Sequence, residues 1–279
     1  MKLAVQVQYD DRFERTLESV SKAGYQFISM GLGLETAIEY MARDTWEQDV
    51  LRIEQLLRKN HLQCIQTHLP VYDLRVSSEI LDEEIERAMR RVVITAGRLG
   101  AEWNAYHCRT AVNENYSPRI SIQHNKVALE ELVELAERNN TGIAVENIPL
   151  FPEIYWMRFL GSDVEDLCQI CDDFDSKAIA ICWDFGHAHL MKHDEVKLIQ
   201  TAGSRIQATH VHDNYQIWDD HAPPGVGNVD WPAVMGALKQ TGYDGYIMQE
   251  LNYCADHRLD SFMRHSYECG VYLESLLRE

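Results

Sequence analysis

The chain has 279 residues and contains no apolar run that approaches the length of a membrane span. Its first residues, MKLAVQVQYDDRFERT, hold too short an apolar stretch for a signal peptide and no small-residue cleavage site, so the cytoplasm is the default location. A disulfide framework is missing as well. The seven cysteines are an odd number, scattered through strand-like and helix-like segments, which indicates reduced thiols. Cys168 and Cys171 form a CxxC, but it falls in a helical pattern with no second pair, so redox or metal chemistry is not expected there. Positive charge is scarce: 26 Lys and Arg stand against 44 Asp and Glu, a net charge of −18. A phosphate polymer would be repelled unless a local basic patch compensated. The nearest candidate, RAMRRVVITAGR at 87–98, interleaves its arginines with apolar residues at helical spacing and reads as a solvated helix face. No linker, low-complexity tract or short repeat divides the chain.

What is present is an alternation. Short β-rich runs (LAVQV 3–7, FISMGL 27–32, QCIQTHL 63–69, WNAYHC 103–108, GIAVENI 142–148, AIAICWDF 178–185, IQATHVHD 206–213, GYIMQEL 245–251) are separated by longer amphipathic segments. In TWEQDVLRIEQLLRKN, for example, Val50, Ile53, Leu56 and Leu57 recur at helical spacing. Several helical segments end on Gly or Asn just before the next strand. Eight strand–helix units in about 250 residues predict an α/β fold, a single-domain (β/α)8 TIM barrel over residues 1–279. A doubly wound sheet is the runner-up, weakened by the lack of a Gly-rich phosphate loop after the first strand.

In such a barrel the chemistry sits at the C-terminal strand ends. Strands three to eight end in His68, His107, Glu146, Asp184, His210 and Glu250. A lone histidine beside an apolar strand is more often a satisfied core residue than a ligand; successive metal-competent ends in one register are not what chance provides. Unpaired, such a ring of carboxylates and imidazoles would be unstable, and a divalent metal is its natural partner. Glu146, Asp184, His210 and Glu250 make an oxygen-rich one-metal site suited to Mn²⁺ or Zn²⁺. Asp184 and His187 form a D-x-x-H step, and Asp219-x-His221 lies in the next loop, so His187, Asp219 and His221 can hold a second ion. His68 and His107, sharing Glu146, can hold a third, or can instead hydrogen-bond substrate oxygens. The cofactor expectation is therefore one to three divalent ions, Zn or Mn, per chain.

The segments THLP, YHC, AVENIP, CWDFGHAH, THVHDN, DDHAPPGVGNVDW and MQEL, in this order, resemble the xylose isomerase-like TIM-barrel superfamily of sugar isomerases and epimerases, which also contains endonuclease IV. The resemblance implies that Glu146, Asp184, His210 and Glu250 bind the shared metal. It also implies that His68, His107, His187, Asp219 and His221 match the extra ligands of the trinuclear endonuclease IV site. One departure is Gly225-Val226-Gly227, where relatives often carry Gly-Glu-Gly.

The expected activity is a metal-dependent sugar, sugar phosphate or polyol isomerase or epimerase working through a metal-stabilised enediolate, with Glu146 and Glu250 as the catalytic proton carriers. The alternatives are an endonuclease IV-like phosphodiesterase acting on abasic DNA, a polyol or glycoside lyase, and a non-catalytic metal-binding barrel. The charge balance makes nucleic acid the less favoured partner; a small carbohydrate or polyol is expected, with no membrane and, by analogy, a possible homo-oligomer. His212, Trp156, Trp183 and Trp218 are candidate substrate contacts, His212 reading equally as a residue that supports the ligands from behind. The aromatic loop PLFPEIYWMRFLG, with Phe151, Tyr155, Trp156 and Phe159, reads as a lid or as ordinary packing. Arg75, Arg109 and Arg158 are rim cations. His189 is expected to cap a helix or face solvent.

Overall fold

The computed structural model describes residues 2–71, 79–110, 118–149, 159–253 and 256–278. Eight parallel strands, β1 (Lys2–Gln8), β2 (Phe27–Gly31), β3 (Gln63–His68), β4 (Trp103–Tyr106), β5 (Gly142–Glu146), β6 (Ile179–Asp184), β7 (Ile206–His210) and β8 (Tyr246–Gln249), follow the order β7-β6-β5-β4-β3-β2-β1-β8. The ring closes between β7 and β8 through one parallel bridge, Val211–Gln249, with Val211 N–H donating to the Met248 carbonyl at 2.8 Å. This is a (β/α)8 barrel; seven expected strand windows hold a strand, and the first, 3–7, lies inside the longer β1.

Helices α1 (Phe13–Ala23), α2 (Leu34–Met41), α3 (Trp46–Lys59), α4 (Glu79–Leu99), α5 (Pro118–Arg138), α6 (Val164–Asp172), α7 (Phe185–Leu190), α8 (Glu195–Ala202), α9 (Trp231–Gln240) and α10 (Leu259–Arg278) complete the units. The spacing of Val50, Ile53, Leu56 and Leu57 buries all four along α3. Ile53, Leu56 and Leu57 join a large apolar shell that includes Val5, Val7, Ile143, Val145, Ile181 and Trp183. Two smaller clusters are separate from it: Ala105, Ala144, Cys182 and Ala208, and Ala4, Ile65 and Met248. Strand side chains alternate faces, so Ala144, Cys182, Ala208 and Met248 share a face with Glu146, Asp184, His210 and Glu250, two residues further on. Small residues floor the barrel, and the ligand-type residues stand one layer above.

Two irregularities set that layer. The β2–β3 register passes from Ile28–Cys64 to Ser29–Gln66, skipping Ile65. The β6–β7 register passes from Ile181–Ile206 to Cys182–Ala208, skipping Gln207, and ends with Asp184 opposite His210. An extra residue of this kind re-aims the side chains after it, here Gln66, Ala208 and His210. No helix among the described residues is long and apolar enough to cross a membrane.

Candidate metal centre

The strand ends converge on Glu146, which is fully buried. Its Oε1 lies 3.0 Å from His210 Nδ1 and 3.4 Å from His187 Nδ1. Its Oε2 lies 3.2 Å from His107 Nε2 and 3.3 Å from His68 Nε2. Neither oxygen has an aligned hydrogen bond, and neither does His210 Nδ1. The Glu146 oxygens and His210 Nδ1 are thus close without donor–acceptor geometry, as when lone pairs point at a common centre. Leaving a buried carboxylate in that state is costly, so the donor set fits divalent cations.

Among the described residues, five overlapping groups have potential ligand atoms within 4.8 Å of one another; three of them together take in all the candidate ligands: Glu146, Asp184, His210 and Glu250; His68, His107 and Glu146; and His187, His212, Asp219 and His221, while His68 also groups with His210 and Glu250. In the first, His210 Nδ1 is 2.8 Å from Glu250 Oε2 and 3.8 Å from Asp184 Oδ2. In the third, Asp219 Oδ2 is 3.1 Å from His221 Nε2 and 3.3 Å from His187 Nε2. Cys182 adjoins the first group, but burial pushes its thiol up to about 12, so it is not a ready thiolate ligand.

Local chemistry explains the placements. Asp184 ends β6 and caps α7: its Oδ1 accepts the His187 backbone N–H at 2.6 Å. The D-x-x-H step is thus a helix cap spacing, and the first turn of α7 carries His187 into the mouth. His212 fits beside it because residue 186 is glycine; a Cβ there would fall 1.9 Å from the His212 ring. The imidazoles are oriented from behind. His68 Nδ1 donates to the Leu69 carbonyl at 2.7 Å, His187 Nδ1 to Asn147 O at 2.9 Å, and His221 Nδ1 to Glu250 O at 3.1 Å. With the Nδ1–H groups assigned from their partners, it is Nε2 of each ring that faces the centre.

Burial disfavours every charge here, yet neighbouring charges prevail. Burial would lower His187, but Asp184, Asp219 and Glu146 carry it up to about 10. Burial would lower His221 too, and Asp219, Glu250 and Asp184 raise it to about 9. The Glu146 and Glu250 carboxyls lie below the ordinary range, burial opposing and His210 outweighing it.

A family model described as xylose isomerase-like TIM barrel matches residues 17–262. The chain belongs to this family. An uncharacterised protein from Methanocaldococcus jannaschii is 32% identical over 210 residues, 70% of this chain and 66% of that protein, so the match spans just under two thirds of the relative's length. An L-ribulose 3-epimerase from Methylomonas sp. is 21% identical over 242 residues, 85% of this chain and 77% of the relative. Two solved structures share the fold. A D-tagatose 3-epimerase-like protein superposes with TM-score 0.76 at 23% identity, covering 100% of this chain and 98% of its own. An IolI protein with a bound zinc atom gives 0.73 at 18% identity, covering 99% and 98%.

Within this family member, the nine residues expected as metal ligands (His68, His107, Glu146, Asp184, His187, His210, Asp219, His221 and Glu250) fall in the three groups. His212, expected to face substrate, is buried with Nε2 3.1 Å from Asp184 Oδ1 and its ring stacked on His221. Trp183 requires a correction. Between inward Cys182 and Asp184 it points outward into the apolar shell, beside a separate cleft bordered by Asn147, Val164 and Leu198. His189 is a second correction: it is buried, 2.6 Å from Glu195 Oε1 and 2.8 Å from Asn228 Oδ1. Trp218 is 66% exposed, one residue before Asp219. Trp156, Phe151, Tyr155, Arg75 and Arg158 lie outside the described residues. Arg109 is engaged, 2.7 Å from Glu86, while Phe159 is half-buried and lines an apolar recess with Ile148 and Pro149.

Sequence reasoning passed over Gln6 and Gln66. Gln6 donates to Glu250 Oε1 at 2.7 Å, and the Gln66 side-chain amide is 2.8 Å from His210 Nε2. Their signal is a polar residue recurring on the inner face of an apolar strand, as in AVQVQ.

Proposed function

We propose that the protein is a divalent-metal-dependent isomerase or epimerase of an open-chain sugar or related polyol, with Glu146 and Glu250 as its proton-transferring pair. The observation that carries this reading is their convergence. From β5 and the end of β8, they approach the same His210 Nδ1 and both line a pocket of about 250 Å³ open to the barrel mouth. Glu146, Asp184, His210 and Glu250 would hold the ion; this oxygen-rich set suits Mn²⁺ as well as Zn²⁺. When bound, a divalent ion supplies Lewis acidity toward a carbonyl and its neighbouring hydroxyl.

The remaining chemistry belongs to the chain. Gln6 holds Glu250 by its Oε1 and leaves Oε2 toward His210 and the pocket. Gln6 and Gln8 line the same pocket and offer neutral amides to sugar hydroxyls. One carboxylate removes the carbon-bound proton; the other takes a proton from solvent and gives it to the opposite face, and the first releases its own to solvent, so no atom is gained or lost. The relatives named as sugar 3-epimerases support carbohydrate as the substrate, and the zinc-bound IolI structure supports a metal in this barrel mouth.

A second reading, phosphodiester hydrolysis, is favoured by the two further ligand groups, which suit a multi-metal centre. The charge of −18 weighs against a DNA backbone. The deciding experiment incubates the protein with ketoses, ketose phosphates, inosose-type polyols and abasic-site DNA, with Mn²⁺ and Zn²⁺ separately, and follows deuterium incorporation from D₂O. Deuterium at one carbon together with isomer formation is expected for a ketose or polyol. Nicking of the DNA without exchange into any sugar would overturn the assignment.

A further inference from the structure

We propose that Asp213 is a positioning residue: its buried carboxylate folds the loop after β7 into the arm that presents Asp219 and His221. This inference rests on the metal reading above and concerns how one ligand group is built. Asp213 Oδ1 accepts the backbone N–H of Asn214 at 2.9 Å and of Val229 at 3.1 Å. Its Oδ2 accepts the Gly225 N–H at 2.7 Å and Trp231 Nε1–H at 2.9 Å. The Asp213 backbone also pairs in both directions with Ala222, at 2.8 and 3.1 Å. One side chain therefore gathers the start of the loop, its return and the first residue of α9.

Asp219 and His221 stand inside the span so closed, and neither belongs to a strand or helix. The backbone is left-handed at Gln216 and His221, with φ of 61° and 46°, conformations that non-glycine residues adopt only where surroundings hold them. The glycines at 225 and 227 serve the same carboxylate. Gly225 donates to it at φ 88°. A Cβ on residue 227 would fall 2.3 Å from Asp213 Oδ1 and 2.2 Å from Asn214 O. Val226, between them, is 42% exposed. The Gly-x-Gly spacing thus answers to Asp213, and its middle position is turned to solvent.

All four donors to the carboxylate are neutral N–H groups. Asparagine at 213 keeps the shape but sets an NH₂ against two of them, so that side of the clasp is lost. The test is equilibrium dialysis against buffered Zn²⁺ with elemental analysis of folded Asp213→Asn, Trp231→Phe and Val226→Ala. The loop-group ion is defined as the one lost in His221→Ala. Asp213→Asn is expected to weaken that ion about ten- to a hundred-fold, the range for partners behind metal ligands, while binding by Glu146, Asp184, His210 and Glu250 is unchanged. Trp231→Phe removes one donor and should weaken the same ion by a smaller factor; Val226→Ala should match wild type. A purely structural Asp213 would lower the melting temperature and leave ion affinity intact in the folded protein, and that result overturns the proposal. Should Asp213→Asn not fold, unchanged affinity in Trp231→Phe overturns it equally. A wild-type chain that binds no ion overturns the metal reading, and this inference with it; wild-type binding matched by Asp213→Asn overturns this inference alone.

Discussion

Loading the metal-free protein with Zn²⁺ should expel protons in a number that the site geometry sets. Ligation by imidazole requires a lone pair, so each protonated histidine has to lose a proton. His187 and His221 are held at about 10 and about 9 by the carboxylates around them, against the pull of burial. At pH 8 both lie below these values and are largely protonated, so their ligation releases up to about two protons per chain from this pair alone. Burial would lower His68 and His210 as well, but Glu146 and Glu250 raise both, with Cys182 also raising His210, so they add to the total. The assay is titration calorimetry at pH 8 in buffers of different ionisation enthalpy, the slope giving protons released at saturation. Release below about one proton per chain would refute the reasoning, because the carboxylates would then not be acting on these imidazoles. The same raised values have a sign for stability. In the metal-free protein their contribution is fully present below about pH 6.5 and is lost as pH rises through 9 to 10.

Glu250→Gln should abolish deuterium exchange into substrate, with turnover falling about a hundred- to ten-thousand-fold while circular dichroism shows the barrel intact; retained exchange would remove Glu250 as a proton carrier. Gly186→Ala should cost about 1–3 kcal/mol in denaturant unfolding, because its Cβ would meet the His212 ring at 1.9 Å; unchanged stability would show that the ring can move aside.

The architecture was legible because its signals are local. Apolar runs separated by amphipathic helices mark the strands, and the barrel rule converts strand ends into neighbours. That is why the sequence alone brings Glu146 and Glu250, far apart in the chain, to one rim of the barrel. Trp183 was misplaced for a local reason as well: an aromatic beside Asp184 looks like part of the site until strand alternation is applied through Cys182 and Asp184, which turns it outward. His212 and His189 needed information the chain does not display in one place. His212 reaches the centre only because Gly186, on another element, leaves room for its ring. His189 is buried only because Glu195 and Asn228 arrive to receive its two nitrogens.

The same distinction separates the candidate ligands on strands from those on the loop. Glu146, Asp184 and His210 terminate strands, so hydrogen-bond register fixes them, and the skipped residues Ile65 and Gln207 adjust that register. Asp219 and His221 have no such ladder. Their positions follow from a loop whose ends meet at Asp213, three residues after His210 ends β7. The strand-borne group is therefore as rigid as the barrel, whereas the loop-borne group is as rigid as one carboxylate and four N–H donors make it. On the proposed reading, occupancy of the loop-borne group depends on Asp213, and on Gly225 and Gly227 that lie against its carboxylate, as well as on the candidate ligands themselves.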